Sequence, residues 1–412
     1  MKKLFNKDFI LLWQGNAVSA IGDVLYSIAI GIWVFNETGS TALMGIMSFI
    51  SMFVSMFLSP FAGVLTDRLR RKNIIVLADF VRGLLMCLIG WIAYCNALQV
   101  YQVLIVAFLA GVCNVFFSNA YGSLIVSVMP QDKIIQGQSI VQGTNYLIQV
   151  VGKGISGTLI ALFGVPIMIM INGASFLFSS FTELFITSTP SLHSDEKINP
   201  SIILSDFKDG LKYILSKKAL FYFALFAMLL NFLGSGMGAI LYPFILEKGF
   251  DMSQYAMFMS IESLAAFVAL GILAVFPIPP KHRKQISIIL LIVTCLCSIA
   301  YTALPGFTLV TVFNTITSLA NVAFNGILSG VMIKMIDEEY RGKVLGLISC
   351  LSNGGVALSS VAYGFVAQYI GSINCAILFA VIMIVPYIWF MSNKLVMSVF
   401  EPTQEELQQN KD

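Results

Sequence analysis

About twelve apolar stretches, each at least the roughly 20 residues a helix needs to cross a bilayer, run almost the full length of this chain. They occupy 9–35, 41–64, 73–95, 99–128, 136–163 and 165–188, then 219–246, 252–277, 285–304, 307–335, 343–370 and 372–396. Of the 412 residues 58% are hydrophobic and only 11% are charged, against about 25% charged in soluble domains. No globular core absorbs that much apolar surface, so the solvent must be a bilayer. The runs are long and do not alternate, which predicts helices and not barrel strands. Gly and Pro within them are tolerated because neighbouring helices re-satisfy the freed backbone groups.

Net charge is +3, but its distribution says more. With the N-terminus inside, 21 of the 24 Lys and Arg fall in the segments expected to be cytoplasmic; Lys248 falls outside, and Arg82 and Lys153 lie within spans. That asymmetry predicts twelve spans with both termini cytoplasmic. The start, MKKLFNKDFILLW, mimics a secretory signal, but its apolar run continues to Phe35, so it is expected to span. The seven cysteines lie in or beside apolar runs, none in CxxC, and read as small packing residues.

One long polar interval, 188–218, divides six spans from six. The expected organisation is a six-helix half at 1–190, a cytoplasmic linker at 191–218, a second six-helix half at 219–400 and a cytoplasmic tail at 401–412. Within the linker, SDFKDGLKYILSKK places Phe207, Leu211, Ile214 and Leu215 at helical spacing. This predicts an amphipathic helix lying along the membrane face. Two six-helix halves joined by a linker suit a rocking transporter.

Between the second and third spans stands GVLTDRLRRKNII, residues 63–75: a glycine, an Asp-Arg pair, then a basic cluster. It resembles the signature loop of the major facilitator superfamily. LLWQGNAVSAIGDVLYSIAIGIWVF, NETGSTALMG, LADFVRG and EEYRGKVLGL resemble, in the same order, the drug- and siderophore-exporting branch that includes macrolide efflux proteins. The resemblance implies an all-α membrane protein of the major facilitator fold. It also implies gating roles for Gly63, Asp67, Arg68, Arg71, Lys72, Asp79 and Arg82, with Asp67 locking the inner gate by pairing across the halves. There are departures. Arg70 stands where the family usually has a second glycine, Ala110 where the branch often has a coupling arginine, and Gly152-Lys153 where exporters usually show Gly-Pro. GILAVFPIPPKHRK, where the loop should recur, lacks the Asp-Arg pair.

Ionisable groups at membrane depth cost about 2.5–3.5 kcal/mol on insertion scales and default to functional hypotheses. Here they are Asp23, Asp79, Arg82, Lys153, Glu183 and Glu262. Asp79 and Arg82, three apart, are expected to form a structural or gating ion pair. Glu183, near the end of its span, is expected to snorkel. Asp23 lies mid-span in a stripe with Asn16, Ala20 and Ser27; Lys153 ends a stripe of Gln138, Gln142, Asn145 and Gln149; Asn314, Asn321 and Asn325 make another. Such stripes line a wet cavity or glue helices through amide bonds. Asp23, Lys153, Glu262, Asn16, Gln142, Asn145, Gln149 and Asn321 are therefore the expected proton-coupling and cavity residues, with Lys153 within reach of Asp23 or Glu262. In the superfamily, the helices that carry them line or flank the substrate cavity.

The two histidines, His193 and His282, sit in loops far from any Cys pair, so neither a metal centre nor another cofactor is expected. There is no nucleotide-binding glycine loop and no basic patch for nucleic acid. The chain is thus expected to be no enzyme but a monomeric, multi-pass secondary transporter of the plasma membrane. Its expected partners are the bilayer, a small-molecule substrate and protons. The resemblance implies proton-driven efflux, an antiport that could confer antibiotic resistance. Uptake of a metabolite by symport remains open, as does a non-transporting receptor or scaffold.

Overall fold

The computed structural model describes residues 4–130, 133–187, 200–275, 278–337 and 340–401. Among these there is helix and turn but no strand. The helices are α1 (Lys7–Thr38), α2 (Thr41–Arg68), α3 (Arg71–Tyr94), α4 (Val100–Ser127), α5 (Ile134–Glu183), α6 (Pro200–Ser216), α7 (Lys218–Gly234) and α8 (Met237–Glu247). There follow α9 (Met252–Val275), α10 (Arg283–Ala303), α11 (Phe307–Lys334), α12 (Arg341–Ile370), α13 (Ser372–Ile382), α14 (Ile384–Ser392) and α15 (Lys394–Ser398).

Local chemistry sets the ends. The Asn6 side chain caps α1 by accepting from Phe9 N–H at 2.9 Å, and Gly39, at φ 63°, closes it with an N–H donated to the Phe35 carbonyl. The apolar part of α5, Gln136–Glu183, has 48 residues, which at 1.5 Å each is about 72 Å, more than twice the roughly 30 Å of hydrocarbon. It is two spans joined at Gly164, where φ 77° and ψ 166° leave helical space. Only glycine adopts that conformation freely, and Pro166 cannot donate back across the break. With α5 counted twice, the eleven candidate membrane spans among the described residues become twelve. Another break separates α7 from α8 at Ser235-Gly236, where the Tyr363 hydroxyl donates to the Leu233 carbonyl at 2.5 Å.

The surface confirms the bilayer. On α3, Leu77, Phe80, Leu84, Leu88 and Trp91 follow helical spacing and are all exposed, whereas Asp79 and Arg82 on the opposite side are buried. An apolar stripe outside and a charged pair inside is the reverse of a helix in water.

The chain divides into two compact units, one of residues 1–198 with 255–260, the other of 199–254 with 261–412. In the first, Phe9, Leu12, Ile75, Phe117, Leu124 and Ile186 anchor a core between α1, α3, α4 and α5. Residues 255–260 join this unit through Ser260, whose hydroxyl donates to the Gly154 carbonyl at 3.1 Å. In the second, the core is aromatic: Phe226 and Phe390 stack at 3.8 Å between centroids, with Phe223, Phe324 and Phe400 around them. The linker helix α6 packs on this unit through Tyr213 and Ile214, against Leu220, Ile336 and Val344, while Leu211 and Leu215 stay exposed. The side chain of Phe207, also expected on its apolar face, lies outside the described residues. Glu247 accepts from Ser372 N–H and Ile373 N–H, capping α13 at its positive end.

Candidate functional site

The arm of α5 that follows Gly164 carries Asn172, Ser175, Ser179 and Glu183 at intervals of three and four, hence on one face. Opposite stand Gly15, Ser19 and Gly22 of α1. A Cβ on Gly15 would lie 2.8 Å from Ser179 Oγ, and one on Gly22 would lie 2.5 Å from Asn172 Oδ1. On the other flank of this arm, α3 approaches as closely. A Cβ on Gly173 would meet the Cys87 backbone N at 2.7 Å, and one on Gly83 would meet Leu177 at 2.7 Å. Three helices thus pack nearly backbone to backbone, as small residues allow where lipid supplies no hydrophobic drive for association.

A polar seam runs through this junction. Arg82 pairs with Asp79 on the same helix, donates to Asn114 Oδ1 at 3.1 Å, and lies over the rings of Phe117 and Phe176 at 4.6 and 4.2 Å. Two aromatic faces and a carboxylate together replace the water a guanidinium would otherwise hold. Asn172 Nδ2 donates to Asp23 Oδ1 at 3.4 Å, and Ser175 Oγ donates to the Asn172 carbonyl at 2.8 Å. Ser179 Oγ lies 3.3 Å from Glu183 Oε1 and close to Asp79, without closing a well-formed bond to Asp79 Oδ2. Asp79 and Glu183 are 0% exposed and Arg82 is 4% exposed. Beyond Glu183 the chain is tied down at both flanks. Lys72 Nζ donates to the Ile186 carbonyl at 2.8 Å, and Asp8 accepts from Thr187 N–H at 2.9 Å.

The expected residues divide by what they meet. Asp79 and Arg82 form their pair. Asn16 and Asn145 are joined, Nδ2 to Oδ1 at 3.2 Å, beside a bond from Trp13 Nε1 to Thr144 Oγ1. Gln142 and Gln149 are exposed on the same arm of α5, and Asn321 is exposed and accepts from Asn325. Glu262 is half-buried, its backbone carbonyl accepting from Ser318, with the Tyr301 phenol in electrostatic range of its carboxylate. Lys153 is half-buried and makes no ion pair with a described residue of its own unit. Of the two carboxylates expected within reach of Lys153, Asp23 forms no ion pair with it; Asp23 is engaged by Asn172 and feels the charges of Arg82 and Asp79. Arg71 opens α3 half-buried, and Lys72 caps a helix end. Gly63, Asp67 and Arg68 lie on α2; their side chains are outside the described residues, and so is any pairing by Asp67.

Glu183 corrects the sequence reading. Expected to snorkel, it is fully enclosed, because Gly15 and Ser179 leave a slot for its carboxylate beside Asp79. Asn172 and Asn114 were also missed. The stripe 172–175–179–183 and the small stripe 15–19–22 were both legible as spacings; their apposition was not.

The arrangement assembles three carboxylates, Asp23, Asp79 and Glu183, around a single guanidinium. Each uncompensated ion in such a place costs several kcal/mol, so protonation is the natural way to bring the seam towards neutrality.

A sequence profile of the Major Facilitator Superfamily matches residues 12–304. Macrolide efflux protein A of Streptococcus pyogenes is 22% identical over 369 residues, covering 88% of this chain and 90% of that protein. Enterobactin exporter EntS of Shigella boydii is 28% identical over 162 residues, 38% of each chain. Among solved structures, the occupied inward-facing form of a bacterial homolog of the human lysosomal transporter Spinster superposes with a TM-score of 0.76 at 12% identity, covering 98% of this chain and 99% of that one. The nucleoside transporter NupG superposes at 0.75 and 13% identity, covering 96% and 99%.

Proposed function

Because the chain belongs to the Major Facilitator Superfamily, membrane transporters and not enzymes, we propose that it is a proton-driven exporter of hydrophobic or amphipathic compounds, such as macrolide-type drugs or siderophores. It works across the plasma membrane with both termini cytoplasmic. The observation that carries the coupling is the excess of acid in the polar seam: the enclosed Asp79 and Glu183, with Asp23 at its exposed end, against the guanidinium of Arg82. A carboxylate that gains a proton there loses a charge whose burial costs several kcal/mol. Protonation can therefore bias the packing of α1 against α5. Asp23 sits at the exposed end of the seam, accepting one hydrogen bond from the Asn172 amide, and is the carboxylate we assign to exchange protons with the transport route. Gln142, Asn145, Gln149 and Lys153 offer that route a polar wall with a single cation. The names of the macrolide and enterobactin relatives support the export direction and the substrate class.

The test is reconstitution into proteoliposomes with an imposed proton gradient and a panel of macrolides and siderophores. Uphill movement of a panel compound against the proton flow, abolished by an uncoupler, is the expected result. Movement indifferent to the uncoupler overturns proton coupling, and movement with the proton flow overturns export in favour of symport. Asp23→Asn should leave downhill movement intact and remove the uphill component.

A further inference from the structure

Resting on that reading, we propose that the seam contains a second proton-binding site: Glu183 holds a proton and shares it with Asp79 through the hydroxyl of Ser179.

The argument starts from one oxygen with one proton. Ser179 Oγ lies 3.3 Å from Glu183 Oε1 and beside Asp79. A hydroxyl donates one hydrogen bond and can accept two, so it cannot donate to two carboxylates at once. If both acids were ionised, one would face the hydroxyl oxygen lone pair to lone pair, in a slot with no exposure to water and with Glu183 Oε2 already lacking a partner. With a proton on Glu183 the geometry closes. The carboxyl O–H donates to Ser179 Oγ, and the Ser179 O–H is free to turn to Asp79. Asp79 is the member ionised at rest, because Arg82 is paired with it directly. The triad Asp79, Arg82 and protonated Glu183 is then neutral. Moving the shared proton requires no other reactant: Glu183 releases its proton to Ser179 Oγ as Ser179 passes its own to Asp79, one O–H bond breaking and one forming at each step.

Among the described residues, the surroundings of Glu183 contain no rival base. From α1 it faces Gly15, with Asp23 and Tyr26 at the far end of the seam and Asp8 bound to Thr187. From α3 it faces Asp79 and Arg82, with Lys72 committed to a carbonyl and Cys87 against Gly173. From α4 it faces the Tyr121 phenol, itself buried without a hydrogen-bond partner, and Cys113 lies near Arg82. On its own arm of α5 the polar side chains are the hydroxyls of Ser175, Ser179, Ser180 and Thr182 and the amide of Asn172, none of them a carboxylate or an amine. Loss of the proton would leave two adjacent carboxylates to one guanidinium and push α5 from α3, giving the site leverage over helix packing.

The experiment is infrared spectroscopy of the purified full-length protein in detergent at neutral pH, read at the stretch of protonated carboxyl groups. Wild type should show a band in the region of buried protonated carboxyls. Glu183→Gln should abolish it, Asp23→Asn should leave it, and Ser179→Ala should keep it but shift its position. A band that survives in Glu183→Gln, or a wild-type protein without one, overturns the site; an unshifted band in Ser179→Ala overturns the sharing. Thermal unfolding of each variant separates loss of the band from loss of the fold, and Gln can still accept from Ser179. This readout needs no transported compound. Failure of proton-driven export would therefore leave it decisive, and loss of the band assignment would leave export through Asp23 standing.

Discussion

Gly22 of α1 lies so close to Asn172 of α5 that a methyl group on it would stand 2.5 Å from the amide oxygen and 3.0 Å from the Asn172 Cα. A side chain could swing away; a backbone carbon cannot. Gly22→Ala is therefore expected to destabilise the protein by about 1–3 kcal/mol, the usual range for overpacking, as measured by thermal unfolding in detergent. Gly143 meets nothing within 4 Å. Gly143→Ala should be neutral, or stabilising by up to about 1 kcal/mol through helix propensity. Equal effects of the two substitutions would show that the helix contact is looser than described.

Arg82 and Asp79 are a buried pair, and breaking one differs from removing both. Arg82→Met strands a carboxylate with no exposure and should cost about 3–5 kcal/mol, whereas adding Asp79→Asn should recover much of that loss. The double-mutant cycle in chemical or thermal unfolding gives the coupling directly. Additive single effects would mean that Asn114 and the rings of Phe117 and Phe176 hold Arg82 without help from Asp79.

In the second unit, Lys217 Nζ donates to Asp337 Oδ2 at 2.8 Å and to the Tyr213 hydroxyl at 2.6 Å, while Asp337 N–H donates to the same hydroxyl. The hydrogen bond from Lys217 holds the Asp337 carboxyl below its usual 3.8. The bond to Asp337 raises Lys217 above its usual 10.5. Asp337 therefore contributes stability that is present above its unfolded value and is lost as pH falls through its depressed folded value. Lys217 contributes stability that is present below 10.5 and is lost as pH rises through its raised value. Both side chains face solvent, so the effect is small and screened by salt. Asp337→Asn should lower the unfolding midpoint at neutral pH and low salt, and the gap to wild type should close in acid and in high salt. A gap independent of both would assign the effect to the Tyr213–Tyr340 stack at 4.5 Å.

Lys153 makes no ion pair with a described residue of its own unit, so its removal strands no acid among them. Lys153→Met should change stability by no more than about 0.5 kcal/mol, as for side chains outside a network, yet reduce transport by removing the only cation on its face of α5. A large loss of stability would show the ammonium to be part of the fold.

The residues alone were enough for the part of this protein that depends on one helix at a time. Length and hydropathy marked the spans, and Gly164 before Pro166 ended one of them because only glycine takes the backbone turn found there. The spacing of Asp79 and Arg82 put them on one side of α3, and they pair there. A period names a face, however, and not the neighbour that face meets. Lys153 was expected within reach of Asp23 or Glu262, and Asp23 meets Asn172; Glu183 was expected to reach out of the membrane and is enclosed. Both outcomes were decided by where α1 comes nearest to α5, an approach that the absent side chains of Gly15 and Gly22 permit. A carboxylate at a helix end stays buried when a neighbouring backbone covers it and a hydroxyl is there to meet it. That is a property of three helices together, and no single stretch of sequence contains it.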